Sequence, residues 1–179
     1  MRYLALAAVG LCLTLSSCQS GRTARAGGAT RRSGAKRAPA VAQQTQEDAI
    51  REAVFRYQFA HDASGLQKSV KVFFISVDGK DPSAQFLARF RGSKPEVRKQ
   101  SESRYNPQRR TAIFRTEDRK TGELGLIFSV DRIAFDSPSQ ALVEGGYYSG
   151  GLASAEHRYL VVRQKGKWVV KKDEITMIS

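Results

Sequence analysis

Hydrophobic residues along this chain fall into segments with three different periods. From Tyr3 to Leu15 they run almost without interruption, and from Gln19 to Gln46 they nearly vanish. Beyond that, Ile50, Ala53, Val54, Tyr57 and Ala60 recur at helical spacing, with Phe55 and Phe59 widening the apolar face. A hydroxyl at Thr45 followed by a carboxylate at Asp48 predicts the start of that helix, and Gly65 predicts its stop. Val70 to Val77 is β-branched and aromatic and predicts a strand. Asp81-Pro82 reads as an N-cap with proline at the first helical position, opening a short helix through Phe90 that Gly92 closes. Four strands follow at Leu124–Phe135, Gln140–Tyr148, Glu156–Gln164 and Lys167–Met177, with an edge strand expected within residues 95–115.

The last two strands define their own register. A two-residue loop at Lys165-Gly166 sets Gln164 opposite Lys167, Arg163 opposite Trp168 and Val161 opposite Val170. Val161, Arg163, Trp168 and Val170 then share one face with Tyr159, so Trp168 is expected to pack. In the run from Gly145 to Gly151, Tyr147 and Tyr148 must point to opposite faces. Its glycines sit between strands and open no helix, which predicts a bend or bulge and not a phosphate cradle.

Composition narrows the class. With 41% hydrophobic and 26% charged residues, the chain is too polar for a multi-span membrane protein. Two cysteines and two histidines leave no material for a disulfide framework or a multi-histidine zinc site. The net charge is +13, but Arg2, Arg22, Arg25, Arg31, Arg32, Lys36 and Arg37 supply seven of those charges with no acid among them, leaving +6 on residues 47–179.

The N-terminal run is about the length of a signal-peptide core and shorter than the ~20 residues a bilayer span needs. Leu15-Ser16-Ser17-Cys18 resembles the bacterial lipobox, in which the cysteine thiolate takes a diacylglyceryl group and becomes the mature N-terminus. The resemblance implies a lipid (palmitate) anchor at Cys18, and Gln19 in the next position implies sorting to the outer membrane, facing the periplasm. Three segments are expected: a signal peptide at 1–17, the lipidated cysteine with a disordered basic linker at 18–46, and one α+β domain at 47–179. The linker's cations suit anionic lipid. An exported anchor argues against nucleic acid.

A helix, a strand, a short helix and a run of long antiparallel strands resemble the nuclear-transport-factor-2-like, or cystatin-like, cone. The segments FFISVDGKDPSAQFLARF (Phe73 to Phe90) and EGGYYSGGLASAEHRYLVVRQKGKWVV (Glu144 to Val170) resemble small bacterial lipoproteins carrying such a domain. This implies an N-terminal helix and a short helix packed on a curved antiparallel sheet, with a homodimer through its open face among the expected partners. It also implies an interior that takes acids, histidine or tyrosine where members are enzymes. Here those are Tyr57, His61 and Asp62 near the end of the first helix, with His157 and Trp168 on late strands. Adjacent on a helix, His61 and Asp62 diverge by ~100° and cannot both point inward.

No nucleophile turn, phosphate loop, cofactor motif or metal-ligand spacing accompanies them, so neither a cofactor nor a metal is expected. The expected function is a binding or interaction module at the envelope, with a small-molecule carrier or enzyme as the rival. Both histidines are expected to be replaceable at little cost. Limited trypsin digestion should cut first between Arg22 and Arg37 and release a fragment close to 47–179; early cutting at Arg98, Arg109 or Arg110 would disprove a single compact domain.

Overall fold

The structure, a computed structural model, describes residues 37–179. The apolar run, Cys18 and residues 19–36 of the expected linker lie outside the described residues. The first helix, α1, spans Arg37–His61 and so begins within the stretch expected to be linker. Thr45 is not its cap: the Thr45 hydroxyl donates 2.9 Å to the Val41 carbonyl one turn back, inside the helix. Alanine and glutamine between 38 and 46 are strong helix formers, and Pro39 falls in the first turn, where no intrahelical N–H is needed. Side-chain bonds from Gln43 to Glu47 (3.1 Å) and from Gln44 to Asp48 (2.9 Å) reinforce this turn. Past His61 the chain turns through Ser64 and Gly65, both at positive φ.

The protein is α+β. A six-stranded mixed sheet runs in the order β2-β1-β5-β6-β7-β8, and a second, two-stranded sheet pairs β3 with β4. Strand β1 (Val72–Val77) lies between two neighbours, β2 (Glu96–Lys99) and β5 (Gly125–Ser137), parallel to both, and is a nearly unbroken apolar run because its side chains are buried on both faces of the sheet. Thus β2 is the edge strand expected within 95–115. The remaining strands, β6 (Gln140–Gly150), β7 (Ala153–Gln164) and β8 (Lys167–Ile178), follow β5 as an antiparallel meander. The two parallel pairings set this sheet apart from the all-antiparallel one expected.

Helix α2 (Ala84–Leu87) and the 3-10 turn after it, ending at Phe90, occupy the expected place, but Ser83 and not Asp81 caps α2 by accepting from the Phe86 N–H at 3.1 Å. Asp81 is used elsewhere: its carboxylate accepts from the Ser101 hydroxyl (2.6 Å) and N–H (3.0 Å).

The core forms where α1 crosses one face of the sheet. Ile50, Val54 and Phe55 are fully buried there, and Phe59 sits 4.8 Å from the Phe73 ring and 5.2 Å from Phe128. Phe55 meets Phe86 and Phe90 at 6.1 Å each. Rings therefore fill the space between helix and sheet. At Gly145 and Gly146 a β-carbon would lie 2.2 Å from the Ser129 carbonyl oxygen and 2.1 Å from that of Ala155, so only glycine allows the neighbouring strands this close. Tyr147 packs against the core, and its neighbour Tyr148 takes the other face.

The expected hairpin register holds from Gln164–Lys167 to Val161–Val170, with Lys165 and Gly166 at positive φ in the turn. Below it β8 carries an extra residue at Lys171 and another at Thr176, so Tyr159 faces Asp173 and His157 faces Ile175.

The small sheet, β3 (Ser103–Tyr105) with β4 (Thr116–Asp118), is built on buried charge. Burial by itself would raise the Glu117 carboxyl, but Asn106, Arg109 and Arg104 all donate to it and hold it down to about 2. Asp118 is held down to about 2 as well, against the same burial, by the N–H groups of Thr121 and Lys120 and by Arg98.

Trp168 is 9% exposed within the core. Replacing it by alanine should cost roughly 3–5 kcal/mol in urea or thermal unfolding, the loss of a buried large aromatic. A shift below ~1 kcal/mol would place it on the surface.

Candidate functional site

The end of α1 brings its last turn against the inner face of β7 and β8. As the helical geometry requires, only one of the adjacent pair turns inward: His61 is exposed, its ring 4.5 Å from that of Tyr57, whereas Asp62 is buried. The Tyr159 hydroxyl donates to Asp62 Oδ2 in a short hydrogen bond. It also accepts from Gln58 Nε2 at 3.1 Å, and Gln58 reaches on to the Ser129 carbonyl at 3.0 Å. One residue pair along the sheet, His157 Nδ1 lies 2.7 Å from Asp173 Oδ1 and 4.0 Å from Asp62 Oδ2. A carboxylate only accepts, so Nδ1 carries the proton. The His157 ring stacks on Tyr159 at 5.6 Å, with only 5° between their planes, and Tyr57 meets Tyr159 edge-on at 6.0 Å.

Burial decides the electrostatics. It pushes the Asp62 carboxyl up to about 6; the Tyr159 hydrogen bond and His157 oppose the rise, and the charge of Asp173 adds to it. Burial also raises the Tyr159 hydroxyl, reinforced by the charge of Asp62 and by its own hydrogen bond to that carboxylate. For Tyr57 burial comes first, followed by Asp173 and Asp62. Asp62 Oδ1, Gln58 Oε1 and His157 Nε2 have no hydrogen-bond partner.

A carboxyl that titrates near neutrality beside a histidine fixed by a second carboxylate has the makings of a proton-transfer site. Yet Tyr159 is fully buried and Asp62 and His157 nearly so, and among the hydrogen-bonded acids only the half-buried Asp173 borders solvent. Asp62, His157 and Asp173 each offer a ligand atom within 4.8 Å of the others, a spacing a divalent cation could bridge. A cation there would have to displace the proton on Nδ1 and break the hydrogen bond to Asp173. The arrangement is a hydrogen-bonded network.

Of the residues singled out by sequence, Asp62 and His157 join this network, Tyr57 packs edge-on against its Tyr159, and His61 stands at its rim. Trp168 lies five residues before Asp173 on β8, in the core near the hairpin, and Cys18 is outside the described residues. Gln58, Tyr159 and Asp173 were not among the candidates. The inward face of Tyr159 was legible in the hairpin register, but Asp173 faces inward only because of the extra residue at Lys171. Comparison with protein-family models, with curated proteins and with solved structures returns no match for this chain.

His157 is buried and bonded to Asp173, so the two histidines are expected to differ in how replaceable they are. Removal of His157 leaves Asp173 without its partner, at a cost of roughly 1–3 kcal/mol, whereas His61→Ala should stay within about 0.5 kcal/mol. Because the folded-state value of Asp62 lies above its ordinary 3.8, its contribution to stability is full below pH 4 and is lost as pH rises through 6. Unfolding of the natural protein and of Asp62→Asn, measured from pH 4 to 7.5, should show the natural protein losing about 2–3 kcal/mol relative to the variant. Parallel curves would refute a raised Asp62.

Proposed function

We propose that this chain is a lipid-anchored bacterial envelope protein whose α+β domain is a binding or interaction module, held on the periplasmic side of the outer membrane. The anchor reading rests on the residues themselves: a short apolar run, then Leu15-Ser16-Ser17-Cys18, then Gln19. Among the described residues no helix is long and apolar enough to cross a membrane. The basic stretch after Cys18 would add attraction to anionic lipid, up to ~1 kcal/mol per residue near a charged surface.

One observation carries the module reading over the interior-enzyme reading. The space between α1 and the sheet is occupied by packed rings, from Phe55 through Phe59 to Phe128, and its polar end is occupied by Asp62, Tyr159, His157 and Asp173 bonding to each other. Recognition is thereby left to the outer surfaces. We read the architecture as a variant of the cystatin-like cone, supported by a helix laid across one face of a long meander with bulges in β5, β6 and β8. A homodimer through the other face of that sheet belongs to the same proposal.

The interior network favours the rival reading at one point, since Asp62 and the His157–Asp173 pair are groups that move protons. Under that reading a His157→Gln variant would lose its envelope phenotype at unchanged stability. Under the module reading, phenotype and stability fall together.

The anchor is tested directly. Cys18→Ala should leave the domain folded and move it from the membrane fraction to the soluble or precursor pool, because two or more acyl chains hold a protein nearly permanently. Mass spectrometry of the mature N-terminal peptide should find diacylglyceryl on Cys18. An unmodified peptide beginning elsewhere would end the lipoprotein proposal.

A further inference from the structure

A hollow of about 710 Å³ opens on the flank of the fold, between the last turns of α1, the chain entering β1 and the segment before β2. It lies within the ~300–1,000 Å³ range of small-molecule sites. Its apolar lining is Phe59, packed on Phe73 at 4.8 Å, with Val70 and Pro95. The cations Arg56, Lys68 and Lys94 line it, and no acidic side chain does.

Arg56 is partly committed, since its guanidinium holds Glu52 at 2.9 Å and the Arg89 carbonyl at 2.9 Å. Arg89 holds the same Glu52 at 2.9 Å, so two guanidinium groups share one carboxylate and an excess of positive charge remains. Among the described residues no salt bridge engages Lys68 or Lys94, and both are exposed. The groove over Gly145 and Gly146 on the sheet is different in kind. It holds about 250 Å³ and is lined by Asp131 and Glu156, which would repel an anion.

An apolar lining beside exposed cations is complementary to a molecule with one apolar tail and one small negative head. We propose that this flank hollow binds a single-chain amphiphilic anion, its tail on Phe59 and Pro95 and its carboxylate or phosphate head between Lys68 and Lys94. The site is separate from the Asp62 network and independent of the lipid anchor. Attraction of the head by exposed lysines makes binding salt-sensitive, while burial of the tail supplies the larger share of the affinity.

Titration calorimetry of the chain carrying Cys18→Ala, with each ligand below its micelle concentration, tests this apart from the anchor. Dodecanoate and lysophosphatidate are the anionic probes; dodecyltrimethylammonium and inorganic phosphate are the controls. Saturable one-to-one binding is expected for at least one anionic probe, and the tighter of the two identifies the head group. Both controls should bind at least tenfold more weakly. The double variant Lys68→Glu/Lys94→Glu should weaken the anion at least tenfold at an unchanged unfolding temperature. Ala60→Trp, which fills the hollow from an exposed helix position, should do the same. The proposal is overturned if no anionic probe saturates, if the cationic amphiphile or phosphate alone binds as tightly, or if both variants keep the natural affinity.

Discussion

Everything in this fold hangs on α1 burying one face against the inner side of the meander. Each fully buried phenylalanine or isoleucine in that seam contributes about 1.5–3 kcal/mol, and Ile50, Phe55, Ile75 and Phe128 all reach that state. Two edge-on ring contacts from Phe59 and two from Phe90 add geometric preference to the area buried. Once Ile50, Val54 and Phe55 face the sheet, the helical repeat carries Gln58 inward, and the turn just past His61 brings in Asp62 as well. Those two polar residues cannot avoid the interior. Tyr159 and the His157–Asp173 pair are what they meet there.

Among the described residues three carboxylates are buried, with opposite outcomes. Glu117 and Asp118 are as hidden as any residue in the core, but Arg104, Arg109 and Arg98 reach them, so both stay charged and their carboxyls are driven down to about 2. Asp62 has no lysine or arginine beside it. Its neighbours are a hydroxyl, an imidazole and a second carboxylate, and burial wins, raising it to about 6. The first arrangement fastens the loop around β3 and β4. The second leaves one internal charge that appears or vanishes over a pH range cells encounter.

The cationic groups left over are distributed unevenly. Near the small sheet Arg98, Arg104 and Arg109 are consumed by Glu117 and Asp118, while Lys68 and Lys94 stand beside an apolar hollow with no acid lining it. The same net positive charge therefore has two uses, one structural and one available to a ligand. Since rings fill the interior seam, the flank is where the fold offers open apolar surface beside charge.

Local chemistry was enough to read the α+β class, the four long strands, the Lys165-Gly166 turn and the opposite faces of Tyr147 and Tyr148. Each depends on residues within a few positions of one another. The start of α1 was misread because a hydroxyl–carboxylate spacing looks the same at a cap and inside a helix; the good helix formers before Thr45 carried the helix back to Arg37. Ser83 took the cap from Asp81 because Ser101, distant in sequence, claimed that carboxylate. The parallel pairing of β1 with β2 and β5 had no local signature, since a strand covered on both sides reads only as apolar. The network at the end of α1 was hidden for a related reason. Alternation along β8 assigns faces only while the register is unbroken, and one extra residue at Lys171 exchanges Lys172 for Asp173 on the inner face. Sequence determines which residues are near in the chain. Only the packed structure decides where a strand takes an extra residue, because the fit of that strand against its neighbour sets the bulge.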